Sequence, residues 1–272
     1  MRILLLGLCA AILCTHTQAA KAESLIEPDY DGDSPKITTP WLEYYGPQNY
    51  KADHDFIVSM RPHHAGALSM SEDYLMNEGR QSETLQALSR GIIRNQKFEI
   101  LMLDTVEDHI NKIDFGREGT AWHKVAEQGL AMRERFIRAP MPPIQSLLRG
   151  DDMAGATDVQ FAKAMIVHHE GALMMCEDYL ANPDIQNGYI ERMCLDVLRD
   201  QAQEIALMWN IVGSYPGDHC AIKITPAMID GMDDMMGHMD FSKANCEMNS
   251  MPHARHAMPK NTMDDHSHHH GH

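Results

Sequence analysis

The amino-acid sequence predicts an all-α protein: a four-helix bundle built from two repeated helical hairpins, followed by a flexible Met- and His-rich C-terminal tail. Three observations lead to this prediction. The phrase MRPHHAGALSM at residues 60–70 returns as MIVHHEGALMM at residues 165–175. The apolar residues around each phrase recur with a helical period. The last part of the chain, by contrast, contains many Met and His residues and few branched aliphatic ones.

The repeat continues beyond this phrase at a constant offset of 105 residues. Residues 53–75 and 158–180 share 13 of 23 positions at that offset. The register then runs without a gap into a second pair of segments, which share Arg94/Arg199, Gln96/Gln201, Glu99/Glu204 and Ile100/Ile205. Each unit therefore predicts a helical hairpin. A hairpin cannot bury its apolar stripe alone, so two of them predict a four-helix bundle with approximate two-fold symmetry.

The second helix of each hairpin follows a short turn. These helices are expected over residues 83–105 and 188–212, and Asn182-Pro183 marks the turn before the latter. A further helix is expected near residues 122–137, in the connection between the hairpins. Glu72 and Asp73 lie off the face that carries the motif, so they are interpreted as solvent-exposed although both are repeated.

The N-terminus has the features of a secretory signal peptide. Arg2 precedes an apolar run from Ile3 to Leu13, and small residues with an A-x-A site ending at Ala22 follow. The run is too short to span a bilayer, so no membrane anchor is expected and the mature chain is predicted to be periplasmic or secreted. The predicted parts of the chain are a signal peptide at 1–22, an extended segment at 23–50, the bundle at 51–212 with 104–157 as its connection, and the tail at 213–272.

The repeated phrase places imidazole and thioether groups on one face of one helix. The four residues His63, His64, His168 and His169 form two identical pairs, and symmetry should bring both pairs toward one interior. Five methionines accompany them: Met60, Met70, Met165, Met174 and Met175. Thioether and imidazole together suit Cu(I), and Ag(I) by the same softness, while imidazole also serves Cu(II) and Zn(II). The alternative is that the Met residues only pack the core.

Glu99 and Glu204 lie among apolar residues in the second helices. They are predicted as outer partners of the site, because a carboxylate that accepts the free imidazole N–H fixes the orientation of a ligating His. Pairing with Arg94, Arg199 or another bundle residue is the alternative. The formal charge of −16 argues against a nucleic-acid partner and suits attraction of cations.

The tail is interpreted as a flexible metal-binding array, because residues 226–272 contain nine Met and eight His. The alternative is an acidic segment with incidental Met. Its predicted ligands are Met228, Met232, Met235, Met236, His238, Met239, Met248, Met251, His253, His256, Met258, Met263, His266, His268, His269, His270 and His272.

Four cysteines remain after the signal peptide. Cys176 and Cys194 are equidistant from the turn in the second hairpin, so they are predicted to form a disulfide in an oxidising compartment. Buried reduced thiols are the alternative. Cys220 and Cys246 would then pair with each other or serve as thiolate ligands.

The stretches FIVSMRPHHAGALSM and FAKAMIVHHEGALMM, followed by QKFEILML and QAQEIALM, resemble the domain of unknown function 305 family. The resemblance covers about residues 53–209 and implies a ferritin-like helical fold. It also implies a likeness to the exported copper-binding members of that family, which protect bacteria against copper. The ligands it implies are Met60, His63, His64, Met70, Met165, His168, His169 and Met175. Val167 stands where the family pattern has Pro, which leaves open whether the two halves bind equally.

Three functions compete on these observations. The first is an exported copper-binding protein that sequesters copper or hands it on, with a copper-efflux or chaperone protein as the expected partner. The second is a di-iron or other metal-dependent oxidase, although no Glu is followed by His three residues later, as di-iron bundles require. The third is a structural bundle whose tail alone binds metal. The first is favoured, and no enzymatic activity is expected.

Overall fold

The structure is a computed structural model that describes residues 38–116, 121–129, 153–232 and 241–246. The predicted signal peptide and most of the tail lie outside these residues. In chain order, the elements are β1 (Thr38–Tyr45), α1 (Pro47–Met76), α2 (Glu83–Ile110), β2 (Ala121–Gly129), α3 (Ala156–Ala181), α4 (Gly188–Gly213) and the short α5 (Phe241–Cys246). Short 3-10 turns lie at His219–Ala221 and Pro226–Met228.

The four long helices confirm the predicted bundle of two hairpins. Helix α1 packs along α2, α3 packs along α4, and the hairpins meet where α1 contacts α3 and α2 contacts α4. Helix α2 runs five residues further than Thr105, because Val106 and Ile110 continue its apolar stripe and are buried. None of the described helices is both long and apolar enough to cross a membrane.

Side-chain caps set the start of both second helices. The Ser82 hydroxyl accepts the backbone N–H of Leu85, and the Asn187 side chain accepts those of Tyr189 and Ile190. These polar residues satisfy N–H groups that have no partner inside the helix. The second helix of each hairpin therefore begins where the sequence predicts it.

A two-stranded antiparallel sheet is added to the bundle by β1 and β2. The helix expected near residues 122–137 is wrong over its described part, because residues 121–129 form β2. Pairing with β1 explains the difference: Tyr44 lies opposite Trp122, and their rings make an edge contact at 5.9 Å. Val125 and Ala126 of the strand are fully buried and join the bundle core.

A buried carboxyl group links the two hairpins at one end of the bundle. Asp53 of α1 accepts the hydroxyl of Tyr179 from α3 at 2.7 Å and the side-chain amide of Asn187 at 2.7 Å. It also accepts the Tyr45 hydroxyl of β1 at 2.6 Å. Burial raises the pKa of Asp53, and these donors offset part of that rise. Through these hydrogen bonds the Asp53 carboxyl group connects α1 with β1, α3 and the cap of α4.

The equivalent Asp158 plays the same part at the opposite end. It accepts the Tyr74 hydroxyl from α1 at 2.6 Å and the backbone N–H of Gly155 at 2.7 Å. It also accepts the backbone N–H groups of Gln81 and Ser82. Each repeat thus binds the tyrosine of the other repeat, and this exchange explains why both the Asp and the Tyr recur at the 105-residue offset.

We expect Tyr179→Phe to lower the free energy of unfolding by about 1–3 kcal/mol, because it removes a hydrogen bond to a buried carboxyl group. Urea unfolding followed by circular dichroism measures the loss. Tyr50→Phe is the matched control, since its hydroxyl bonds Asn111 at an exposed position and should change stability by no more than about 0.5 kcal/mol. Equal losses in both variants would show that the Asp53 network adds no stability of its own.

The C-terminal region departs from the prediction of a flexible tail that begins at 213. Ile224, Ile229 and Met232 are at most 3% exposed and belong to the bundle core. A disulfide between Cys220 and Cys246 closes this region onto itself. Residues 214–232 are therefore part of the folded domain.

The predicted Cys176–Cys194 disulfide is wrong: in the described part of the chain both residues are free, buried thiols. The prediction of proximity was sound, since the two thiols are close enough for a hydrogen bond. Both are fully enclosed in an apolar cluster, and burial followed by contact with Cys194 raises the pKa of the Cys176 thiol. The thiolate that disulfide formation requires is therefore disfavoured there.

Candidate metal centre

The two hairpins meet at a pair of imidazoles in close, tilted contact. His63 of α1 and His168 of α3 have ring centroids 3.7 Å apart and an interplanar angle of 39°. Each ring contacts the other residue's backbone, with His63 Nε2 2.9 Å from the His168 carbonyl oxygen and His168 Nε2 2.9 Å from that of His63. A carbonyl oxygen only accepts, so both Nε2 atoms carry hydrogen and donate. The neutral rings therefore have their lone pairs on Nδ1.

The outer imidazole of each pair contacts a glutamate from the second helix of its own hairpin. His64 Nε2 lies 2.8 Å from Glu99 Oε2, and His169 Nε2 lies 2.7 Å from Glu204 Oε2. The arginines of the alternative pairing lie at the surface, where Arg94 is exposed and Arg199 contacts Asp196 and Asp200. The carboxylates again place hydrogen on Nε2, which is the contact expected of an outer partner. Metal ligation itself stays a prediction.

All four imidazoles leave the same atom without a partner. Within the described residues, the Nδ1 atoms of His63, His64, His168 and His169 are buried and make no hydrogen bond. An unsatisfied buried acceptor costs about 1–3 kcal/mol. Four such atoms in two symmetric pairs leave lone pairs that a metal cation could accept, and metal ligation by them stays a prediction.

Burial keeps the rings of His63, His168 and His169 neutral by lowering their pKa values. It lowers the pKa of His63 well below the usual value, and the nearby His168 and His64 rings lower it further. The pKa of His168 is lowered in the same way by burial and by His169. Burial and His64 lower the pKa of His169 to about 3. Neutral imidazole is the form that binds metal, so no proton must leave before an ion enters.

We expect the metal-free protein to lose stability as the pH falls below 6.5, the ordinary pKa of His. Below that pH the unfolded chain takes up protons at these residues while the folded chain does not. Proton binding therefore stabilises the unfolded state relative to the folded one. Each such His lowers the free energy of unfolding by about 1.4 kcal/mol per pH unit until its folded pKa is reached. Urea unfolding above and below pH 6.5 measures the slope. If His63, His168 and His169 are replaced by Gln and the slope does not change, it comes from other groups.

The thioethers divide into two groups on either side of the imidazoles. Met60 and Met175 contact one core cluster, and Met70 and Met165 belong to the other. Helices α1 and α3 run antiparallel, which explains why each group takes one methionine from each repeat. Met60 and Met165 are fully buried, Met70 is 6% exposed and Met175 is half-buried.

These positions limit what one ion can contact. The motif runs about 15 Å along the helix axis from Met60 to Met70, so no single ion binds all the predicted ligands. Among the described residues, no three or more His, Cys, Asp or Glu side chains form a group that could hold a metal ion. A site here must therefore combine imidazole with thioether ligands.

Of the seventeen predicted tail ligands, only Met228 and Met232 lie within the described residues. Met228 is 39% exposed, whereas Met232 is 1% exposed and lies in the bundle core. Sequence reasoning assigned Met232 to a mobile array because it lies among aspartates and methionines. The isoleucines at 224 and 229 were the available signal that the chain packs as far as Met232.

The sequence model of the family described as Domain of unknown function (DUF305) matches residues 53–212. Neither a curated protein nor a solved structure matches the chain significantly. The family match begins at the buried Asp53, ends with helix α4, and includes both His-His phrases with the glutamates that contact them. Because it covers more than half of the 272 residues, the chain belongs to the DUF305 family.

Proposed function

We propose that this protein is an exported copper-binding protein that sequesters copper or hands it on, with Cu(I) as the favoured form. The observation that carries the proposal is the set of four buried imidazoles whose Nδ1 atoms have no partner among the described residues. Fully buried thioethers of Met60 and Met165 lie one helical turn before the imidazoles. Soft thioether and imidazole ligands select Cu(I), and Ag(I) is the expected competitor.

The charges around the site favour a monovalent ion. Imidazole and thioether are neutral, so they do not compensate the charge of a buried cation. Glu99 and Glu204 each place one carboxylate behind an outer imidazole, which gives each half of the site one negative charge. One carboxylate balances one Cu(I). Cu(II) or Zn(II) would leave an excess positive charge in each half.

A disulfide within the folded domain supports export. The Cys220–Cys246 disulfide, with a Cα–Cα distance of 4.7 Å, is of a kind that persists in oxidising compartments. This agrees with the signal peptide proposed at residues 1–22. A periplasmic or secreted protein would meet copper before it reaches the cytoplasm, and handing copper on would require an efflux or chaperone protein as its partner.

Metal competition tests the proposal. The mature protein is offered copper, zinc and iron together under reducing conditions that leave the disulfide intact, and its metal content is then measured. We expect copper to predominate, with at least one equivalent bound tightly. Iron in excess of copper would contradict the proposal and favour the di-iron alternative.

We expect a chain that ends after Cys246 to keep its tightest copper and lose only weaker ions. The bundle ligands are already held in place by packing, so an ion bound there costs less ordering entropy than one whose ligands are not held by packing. Competition with a chromogenic Cu(I) chelator separates the two classes of site. If the shortened but folded chain binds no copper, the tail is the true site and the bundle is a scaffold.

A further inference from the structure

Residues 222–232, which we call the strap, lie against the motif face of the bundle. Its side chains Ile224, Ile229 and Met232 belong to the same core cluster as Ala67 of α1 and Met165 of α3. The strap therefore reaches both helices that carry the repeated phrases.

Several contacts fix the chain on both sides of the strap. Buried Lys163 of α3 donates through Nζ to the carbonyl oxygens of His219 and Asn245, both at 2.6 Å, and of Ile222 at 3.1 Å. These contacts use all three of its donors. The Cys220–Cys246 disulfide joins the same two segments covalently. The strap thus starts from an anchored point instead of from a free tail.

The glycine of each repeated phrase makes room for the strap. A β-carbon on Gly66 would collide with the backbone carbonyl of Asp230. A β-carbon on Gly171 would lie 2.6 Å from Cε and 3.4 Å from Sδ of Met232. A larger residue at position 66 would displace the backbone of the strap, and one at position 171 would displace the end of the Met232 side chain. The repeated glycine therefore permits the strap to approach the helix backbone in both halves.

The Met232 thioether lies beside the His63 imidazole. The same β-carbon position on Gly171 is 3.1 Å from Nε2 of His63, so the sulfur and the imidazole contact the same glycine. Met232 is only 1% exposed. Nε2 of this ring contacts the His168 carbonyl oxygen, while its Nδ1 has no partner within the described residues. A soft sulfur is therefore held away from water against a ring that still has a lone pair to offer at Nδ1.

We propose that Met232 is a thioether ligand of the bundle copper site, held against His63 by the anchored strap. This inference rests on the proposed function, and it moves Met232 from a tail array to the buried centre. Among the described residues, one strap lies against two repeated phrases. The strap atoms nearest to Gly171 belong to the Met232 side chain, whereas those nearest to Gly66 belong to the backbone, so the strap breaks the two-fold symmetry of the bundle. The two halves then bind Cu(I) unequally.

The test compares Met232→Leu with Met76→Leu in the full-length mature protein. Both replacements remove one thioether while nearly conserving volume, but Met76 is 70% exposed and belongs to none of the predicted ligand sets. Cu(I) competition titration should show the tightest site of Met232→Leu weakened on the order of tenfold or more, with Met76→Leu unchanged. Equal and undiminished affinities in both variants would show that Met232 only packs the core.

A second measurement does not depend on how well the variant folds. Methyl NMR of Met-labelled wild-type protein, with the Met232 signal assigned from the variant spectrum, should show that signal shift with the first equivalent of Cu(I). A Met232 methyl that stays unchanged while copper binds overturns the inference and leaves the proposed function intact. If no tight Cu(I) is bound in wild type, the proposed function fails, and the inference fails with it.

Discussion

Replacing His63, His64, His168 and His169 together by Gln is expected to abolish stoichiometric Cu(I) binding by the bundle. Gln is chosen because its amide nitrogen takes about the place of Nε2, which donates to a carbonyl or carboxylate in all four residues. It offers nothing in place of Nδ1, the atom that we propose binds the ion. The variant thus keeps the structural hydrogen bonds and loses the metal ligands.

The measurement is competition with a Cu(I) chelator on chains that end after Cys246, so that the distal tail does not contribute. His54→Gln with His109→Gln is the control, since His54 lies on α1 and His109 on α2, both outside the repeated phrases. It should bind copper like wild type. Circular dichroism verifies that both variants are helical. Undiminished binding by a helical quadruple variant would refute the bundle as the copper site.

Removing the carboxylates behind the outer imidazoles is expected to weaken copper binding by about 10- to 100-fold. Glu99→Gln and Glu204→Gln keep an acceptor for the imidazole N–H, so orientation is preserved while the negative charge is lost. The physical reason is that the charge stabilises both the imidazole dipole and the buried cation. Affinity is measured by the same competition method.

Glu72→Gln is the matched control for this pair of variants. It also lies at a repeated position, but it is exposed and contacts Lys97 at the surface. Its affinity should equal that of wild type. An equally small effect of all three replacements would show that Glu99 and Glu204 serve the fold alone, and it would remove the charge argument for a monovalent ion.

The parts of the fold that follow from local periodicity could be predicted from the sequence. The motif face placed Phe56, Met60, His63 and Tyr74 together, and all four are buried. The constant offset predicted two hairpins, because a repeated unit must bury the same stripe twice. Glu72 was correctly interpreted as exposed.

Contacts between distant segments could not be predicted in the same way. Strand β2 depends on β1, about 80 residues earlier, and nothing within 121–129 specifies that partner. The position of Met232 depends on a disulfide and on Lys163, which lies far from it in sequence. Cys176 and Cys194 were placed side by side by their distance from the turn, yet whether two thiols are oxidised depends on their surroundings.

The sequence shows that the glycine of the phrase is repeated, but it does not show why. Gly66 and Gly171 recur in the phrase, but a helix interior normally disfavours glycine by about 1 kcal/mol. Their persistence in both halves indicates a close approach by another segment. Only the structure identifies that segment as the strap.

The central claim, that imidazole Nδ1 atoms of the bundle bind Cu(I), is tested most directly by nitrogen NMR of ¹⁵N-histidine-labelled protein ending after Cys246. In the metal-free protein we predict that His63, His64, His168 and His169 show protonated Nε2 and unprotonated Nδ1. Stoichiometric Cu(I) should shift Nδ1 signals of this group and leave their Nε2 atoms protonated. Copper that binds while these Nδ1 signals stay unchanged, or that shifts only histidines outside the two phrases, would contradict the account.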